Sequence, residues 1–328
     1  MAAFGTEFAA QMGTCRYRDG AWDTPAMEPV APIPLHPAAH VLHYSSSCFE
    51  GLKAYRWSDG EPRIFRLGRH VQRMQASARL LCLPVPGQDL LAGLIRSVVD
   101  AARDAIPDFP GALYLRPTLV GTEPNIGAAA HASQQALLYV LASPVGDYFA
   151  GGQRPLRVVI EPGMRSTPDF GKAKTGGNYA AALRLVVGAR EQFQADQVLF
   201  CPDDDVQETG AANFILLDDE RIITKPLDGS ILEGVTRDSI LTLARDSGYS
   251  VEERFLTVSE VLEWAKHGEA ALSGTAAVLT GVGTLVYEGR DYPVYGGKVG
   301  PNTEKLRAML TAIQSGERPD PHGWIHSL

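Results

Sequence analysis

The chain has 328 residues, 45% hydrophobic and 21% charged, with a net charge of −8. That length allows two domains with cores of their own, and the composition is that of a globular protein. With no long run of either sign, the acidic balance argues against nucleic acid or an anionic membrane as a main partner, though not against small anionic substrates.

In chain order, residues 63–83 read as a short strand and then a helix from about Arg69 to Leu81, with Val71, Met74, Ala78 and Leu81 on one face. A second helical pattern covers Leu90 to Ala105 and ends before Pro107. Strands are expected at Ala112–Val120 and Ala136–Leu141, on either side of the turn-rich Gly121–Gly127. The Pro- and Gly-dense stretch from Ser143 to Gly152 marks an interdomain connection. Beyond it the pattern predicts strands at Arg157–Ile160, Gln197–Cys201 and Asn213–Leu217. Helices are expected at Asn178–Phe193, Val235–Asp246, Val258–Lys266 and Asn302–Ser315, followed by an ordered or partly ordered tail from Gly316. No apolar run approaches the ~18 residues that span a bilayer. The N-terminus lacks the basic start and apolar core of a secretory signal. Cys15, Cys48, Cys82 and Cys201 are scattered without a CxxC pair, so a reducing cytoplasm is expected and a thiolate metal site is not.

The chemistry concentrates in two segments. Lys174 opens Lys174-Thr175-Gly176-Gly177-Asn178-Tyr179, and Glu208 opens Glu208-Thr-Gly-Ala-Ala-Asn213. A lysine beside small residues and a distant carboxylate is what a pyridoxal phosphate enzyme requires: an amine for the Schiff base and an anion to keep the pyridine nitrogen protonated. Most lysines are solvated and most glutamates exposed, and Lys172, Lys53 and Lys225 compete with Lys174. Lys174 is favoured by its place before a Gly-Gly turn that admits a bulky cofactor. Tyr179 is placed to meet the cofactor's phenolate oxygen, or else packs in the core. Phosphate needs donors. Gly234-Val235-Thr236-Arg237 precedes an apolar helix, a natural anion site that would look the same as an ordinary helix cap. Ser273-Gly274-Thr275-Ala276 adds hydroxyls, and Arg73, off the apolar face of its helix, a fixed positive charge.

Other signals fail. Gly171-Lys172 lacks the first glycine and the Ser/Thr of a P-loop, and Gly281-Val-Gly283 lacks the third glycine of a dinucleotide fingerprint. Asp169-Phe170-Gly171 has no other kinase element with it. His36, His40 and His43 have ligand-like spacing, but Pro37 lies between them with no carboxylate beside them, so no metal is expected.

Taken together, the segments resemble the branched-chain amino acid aminotransferases, pyridoxal phosphate enzymes of fold type IV (D-amino acid aminotransferase-like). The similarity runs from about Phe4 to Trp324. It rests on His43-Tyr44, Phe49-Glu50-Gly51-Leu52-Lys53-Ala54-Tyr55, His70-Val-Gln-Arg73, Tyr114-Leu-Arg116-Pro117, Gly121-Thr-Glu-Pro124 and Ser143-Pro-Val-Gly146, then on the Lys174, Glu208, Gly234 and Ser273 segments, all in order. The resemblance implies a mixed α+β and α/β architecture: a small N-terminal domain over 1–146, a connection over 147–154 and a larger cofactor-binding domain over 155–328. It implies at least a homodimer, with the site at the domain and subunit interface. Lys174 resembles the Schiff-base lysine, Glu208 the pyridinium partner and Tyr179 the phenolate-oxygen partner. Arg73, Val235, Thr236 and Thr275 match the phosphate shell. Tyr114, Thr275 and Ala276 are assigned the α-carboxylate, Phe49, Tyr148 and Val145 the side-chain pocket, and Arg116 and Tyr44 a γ-carboxylate.

The implied reaction moves the amino group of L-leucine, L-isoleucine or L-valine to 2-oxoglutarate in ping-pong fashion, Lys174 acting as base and then acid. One pocket must accept both an aliphatic side chain and a carboxylate. The sequence departs from the family at Ser45-Ser46-Ser47-Cys48, where a glycine is usual, and at Ile215, where Phe or Tyr is usual. No CxxC stands near Ala277–Thr280, so thiol regulation is not expected. A transaminase of aromatic substrates, D-amino acids or amines, or a lyase of the same fold, is the alternative. The chain length, the N-terminal extension and the Tyr114–Arg116 and Gly121–Pro124 segments weigh against it. A binding protein without catalysis would have no need to keep Lys174, Glu208 and Tyr179 together.

Overall fold

The computed structural model describes residues 4–146 and 154–328. The chain divides into two compact units, Met1–Tyr148 with Ala173–Gly176 and Ile313–Leu328, and Phe149–Lys172 with Gly177–Ala312.

The first unit is built on a sheet of nine strands among the described residues. Its order is Ile325–His326, Pro62–Phe65, Leu52–Arg56, Ala112–Gly121, Ala136–Val145, Gln11–Arg18 and Ala21–Trp22. Ser47–Phe49 pairs with Ala112–Gly121, and Ala26–Pro29 with Gln11–Arg18, every pairing antiparallel. Helices Leu67–Leu80 and Gln88–Ala101 bury apolar stripes (Val71, Met74 and Ala78; Leu91, Leu94, Ile95 and Val98) in one core with Leu52, Ile64 and Leu115. The second helix gives way to a 3-10 turn at Arg103–Ala105, earlier than a single helix to Ala105 would. The Gln11–Arg18 strand shows why it escapes sequence patterning. Gly13 interrupts it, because a Cβ there would lie 2.5 Å from the Leu94 Cδ1.

The second unit has a mixed sheet of eight strands among the described residues. Its order is Gln197–Phe200, Leu156–Glu161, Val278–Tyr287, Glu269–Gly274, Asn213–Leu217, Arg221–Thr224 and Ser250–Glu253, with Arg290–Pro293 on Val278–Tyr287. Leu156–Glu161 pairs in parallel with both of its neighbours. Helix Val235–Asp246 matches the predicted bounds, and Val258–Trp264 starts on a capping box between Thr257 and Glu260. Among the described residues, no helix is long and apolar enough to cross a membrane.

Two expectations change. Ser143–Val145 is not part of a connecting loop, since it completes the Ala136–Val145 strand opposite Ala112–Tyr114. The tail returns to the first unit, which a single cut at 147–154 does not anticipate. Ile325 pairs with Phe65, and the buried Trp324 ring packs edge-on against Phe65 at 5.9 Å.

Candidate active site

In the first unit, Lys174 is held by its main chain. Its N–H donates to Ser77 Oγ at 3.0 Å, and its carbonyl accepts from the Phe49 N–H at 3.0 Å. Next to it, the Thr175 hydroxyl donates to the Ser47 carbonyl at 2.7 Å. Half-buried Lys174 carries its Nζ 5.1 Å from the Phe49 ring centre. The glycines that follow form no turn. Helix Gly176–Phe193 begins with them, and neither has a positive φ. A Cβ on Gly177 would meet nothing within 4 Å, and one on Gly176 would meet only the Ser47 Oγ at 3.7 Å.

Through the Phe49 ring this lysine connects to two more of the unit's predicted residues, Arg116 and Tyr114. Arg116 stacks its guanidinium over the rings of Phe49 (4.6 Å) and Tyr114 (5.3 Å), and its Nη2 donates to the Tyr114 hydroxyl at 2.8 Å. Gly51 makes room for that arrangement, because a Cβ there would lie 2.1 Å from the Tyr114 hydroxyl. Val145 is buried opposite Ala112. Tyr44 is exposed, and its hydroxyl donates to the Ile126 carbonyl. Tyr148 lies outside the described residues.

Arg73 does not present an isolated charge. It is buried, and its Nε and Nη2 grip both oxygens of Glu50 at 2.7 and 2.8 Å. His70 Nδ1 adds a 2.8 Å hydrogen bond to the same carboxylate. Burial alone would raise the Glu50 carboxyl, but the Arg73 charge and hydrogen bonds, with His70, hold it well below the usual carboxylate range. Burial pushes the His70 imidazole down despite the pull of Glu50. His70 is therefore neutral and donates through Nδ1.

In the second unit, Glu208 is buried, not an exposed strand end. Its Oε1 accepts from the Leu232 N–H (2.9 Å) and pairs with Arg165 (2.5 Å), and its Oε2 accepts from Asn213 Nδ2 (2.8 Å). Asn213 organises the surroundings. It lies opposite Ser273, and its Oδ1 would be 1.9 Å from a Cβ on Gly234. Gly234 is the N-cap of helix Val235–Asp246, and no side chain caps this terminus, so the Thr236 hydroxyl is not an N-cap. Thr275 and Ala276 lie in the turn after Glu269–Gly274, beside a buried Ser273 hydroxyl that has no hydrogen-bond partner. Tyr179 sits half-buried in the first turn of its helix. A buried carboxylate, an uncapped helix N-terminus and an orphaned hydroxyl, gathered round Asn213, suit a cofactor with a cationic ring and a phosphate.

The departures from the family find local roles. Ser46 Oγ hydrogen-bonds His40 Nδ1 at 2.8 Å, its carbonyl accepts from the Gly121 N–H, and Cys48 bridges to Thr175. The serine-rich loop thus anchors the segment carrying Lys174. Burial, then the Glu50 charge, pushes the Cys48 thiol up to about 12. Ile215 is fully buried in its sheet between Thr224 and Ala271. His36, His40 and His43 take separate partners. Sequence reasoning missed Ser77, Arg165 and the parts played by Glu50 and Asn213. Glu50 and Asn213 stand inside motifs, whereas no local signal marks Ser77 or Arg165.

A family model for amino-transferase class IV matches residues 47–284. The chain belongs to the class IV aminotransferases. Among relatives in this family, a probable branched-chain-amino-acid aminotransferase of Streptomyces coelicolor is 40% identical, covering 99% of this chain and 92% of the relative. The branched-chain-amino-acid aminotransferase of Mycolicibacterium smegmatis is 38% identical with the same coverage. The T.th. branched-chain amino acid aminotransferase, solved with pyridoxamine 5′-phosphate, superposes with a TM-score of 0.80 at 28% identity, over 95% of this chain and 98% of that one. The Escherichia coli branched-chain amino acid aminotransferase gives 0.77 at 27%, again over 95% and 98%.

Proposed function

We propose that this class IV aminotransferase moves the amino group of L-leucine, L-isoleucine or L-valine to 2-oxoglutarate, and back, with pyridoxal 5′-phosphate. The observation that carries the reading is Lys174. Its main chain is pinned to Ser77 and Phe49, and its amine shares one aromatic ring with Arg116. The relatives named as branched-chain enzymes support the substrate class.

Bound pyridoxal phosphate supplies an electron sink that makes the α-carbon of an amino acid acidic. Lys174 would hold the cofactor through its amine, and its Nζ is the group that would take the α-proton and return it. Glu208, paired with Arg165, would meet the ring nitrogen, and Tyr179 the ring oxygen. The Val235 and Thr236 amides, the Thr236 and Thr275 hydroxyls and Arg73 are the groups that would take the phosphate. Tyr114, Thr275 and Ala276 hold the substrate α-carboxylate. Phe49, Val145 and Tyr148 line the side-chain pocket, and Arg116 and Tyr44 receive a γ-carboxylate. The enzyme works as a homodimer in the cytoplasm, and a sedimentation mass of one 35.3 kDa chain would contradict the dimer.

The test is glutamate formation from 2-oxoglutarate with L-leucine, L-phenylalanine, D-alanine or a primary amine as donor. L-Leucine should give the highest kcat/KM. Turnover confined to D-alanine or the amine would overturn the substrate assignment.

A further inference from the structure

Three of the four buried arginines, Arg73, Arg165 and Arg237, sit on a carboxylate, that of Glu50, Glu208 or Glu253, and the fourth, Arg66, lies over the Trp324 ring. Among the described residues no carboxylate pairs with Arg116, and its guanidinium lies over the rings of Phe49 at 4.6 Å and Tyr114 at 5.3 Å. Its Nη2 is occupied by the Tyr114 hydroxyl, while its Nε is buried without a hydrogen-bond partner.

A pocket for two kinds of side chain sets conflicting demands on such a cation. A permanent carboxylate partner would neutralise Arg116 and turn away the γ-carboxylate of 2-oxoglutarate. A bare guanidinium beside a leucine side chain would be a desolvated, uncompensated charge. An aromatic face resolves the conflict. Its quadrupole attracts the cation while its carbon surface remains compatible with an aliphatic neighbour.

We infer that Phe49 is the specificity-determining residue of this pocket: its ring covers the Arg116 charge when an aliphatic side chain is bound and leaves the Nε–H to receive a γ-carboxylate. The inference rests on the proposed assignment of Phe49 and Arg116 to the substrate pocket. The placement of Lys174 agrees with it, because its Nζ lies 5.1 Å from the centre of the same ring. The two cations are thus no more than about 10 Å apart, on one ring. Main-chain hydrogen bonds hold the ring in place, since the Phe49 N–H donates to the Lys174 carbonyl and Phe49 pairs with Thr118 across the strands.

The test uses the holoenzyme and two unreactive acids, 4-methylpentanoate and glutarate, as probes of the two side-chain classes. Dissociation constants are read from the change each makes in the cofactor's absorbance. Phe49→Leu keeps an apolar side chain but removes the π face. It should weaken 4-methylpentanoate roughly tenfold, about 1.4 kcal/mol, and glutarate by less than about twofold. Phe49→Tyr keeps the face and should preserve the wild-type ratio of the two constants. Equal weakening of both acids in Phe49→Leu would show that the ring only packs, and greater weakening of glutarate would reverse the inference. Should Phe49→Leu not fold, a ratio shifted as far in Phe49→Tyr would overturn it equally. Arg116→Met separates the layers of the argument. It should abolish glutarate binding and spare 4-methylpentanoate, and unchanged glutarate binding would remove Arg116 itself from the pocket.

Discussion

Glu208→Gln gives a demanding test of the second unit, because the substitution changes one atom and a charge. The carboxylate receives donors on both oxygens: the Leu232 N–H and Arg165 on Oε1, Asn213 Nδ2 on Oε2. A glutamine has one acceptor, so its amide nitrogen must face at least one of these donors. Turning the Asn213 amide to match would put its Oδ1 against the Leu232 carbonyl, to which Nδ2 now donates at 2.9 Å. Arg165 would also keep its charge in a buried place, with the Gly171 carbonyl as a partner and its Nε already unsatisfied. Removing one partner of a buried pair costs about 3–5 kcal/mol. At roughly 2–4 °C per kcal/mol for a unit of this size, even the lower figure moves the unfolding midpoint down by about 6–12 °C. The assay is calorimetry of wild type and variant, both stripped of cofactor, so that lost ligand affinity does not enter. A midpoint within about 2 °C of wild type would refute the buried Glu208–Arg165 pair. With pyridoxal phosphate restored, the same variant should also transaminate far more slowly.

The first unit should be acid-sensitive. Glu50 and His70 both have folded-state values below their ordinary ones, so the unfolded chain binds more protons and stability falls as the pH drops, first through the ordinary histidine range and then through that of glutamate. Between pH 7 and 5 the unfolding midpoint should therefore fall more steeply in wild type than in His70→Asn, and equal slopes would contradict the buried neutral imidazole. Of the four free thiols, Cys15, Cys48 and Cys201 are buried and Cys82 is exposed. Thiol titration at pH 8 should count one group in the native protein and four after unfolding, and a second fast native thiol would contradict the burial of the other three. Gly51→Ala would drive a methyl into the Tyr114 hydroxyl and, through it, displace Arg116. A loss of kcat/KM toward glutamate beyond about tenfold is expected from a shift of this kind, and wild-type kinetics would show that the Tyr114–Arg116 arrangement does not matter.

What the sequence makes legible follows from where the physical signal lies. Leu67–Leu80 and Val235–Asp246 carry strong helical stripes, and their positions are readable to within a few residues or better. Gln11–Arg18 and Val278–Tyr287 are hidden because glycines dilute their strand pattern at places where other elements pack close. Lys174, Glu208 and Arg73 stand out as candidates through chemistry and spacing. Their partners do not, because Ser77, Arg165 and Glu50 come from distant parts of the chain and meet them only once the strands and helices are packed. The Gly176-Gly177 pair misleads in a specific way, since glycines read as a turn where the chain instead starts a helix with open space beside it. The serine-rich loop also changes meaning. Read as a departure near the pocket, it turns out to anchor Thr175 through Ser47 and His40 through Ser46.

The central claim is that Lys174, and not Lys53, Lys172 or Lys225, is the residue that carries the cofactor. Lys225 is the sharpest rival by burial, but its amine is committed to Asp205 and Asp228 at 2.7 and 2.9 Å. Borohydride reduction of the pyridoxal phosphate-loaded protein, followed by peptide mapping, reads the attachment site directly. A phosphopyridoxyl mass on the peptide containing Lys174, absent after treatment with excess L-leucine before reduction, is the predicted result. The label on any other lysine, or none at all, would contradict the account.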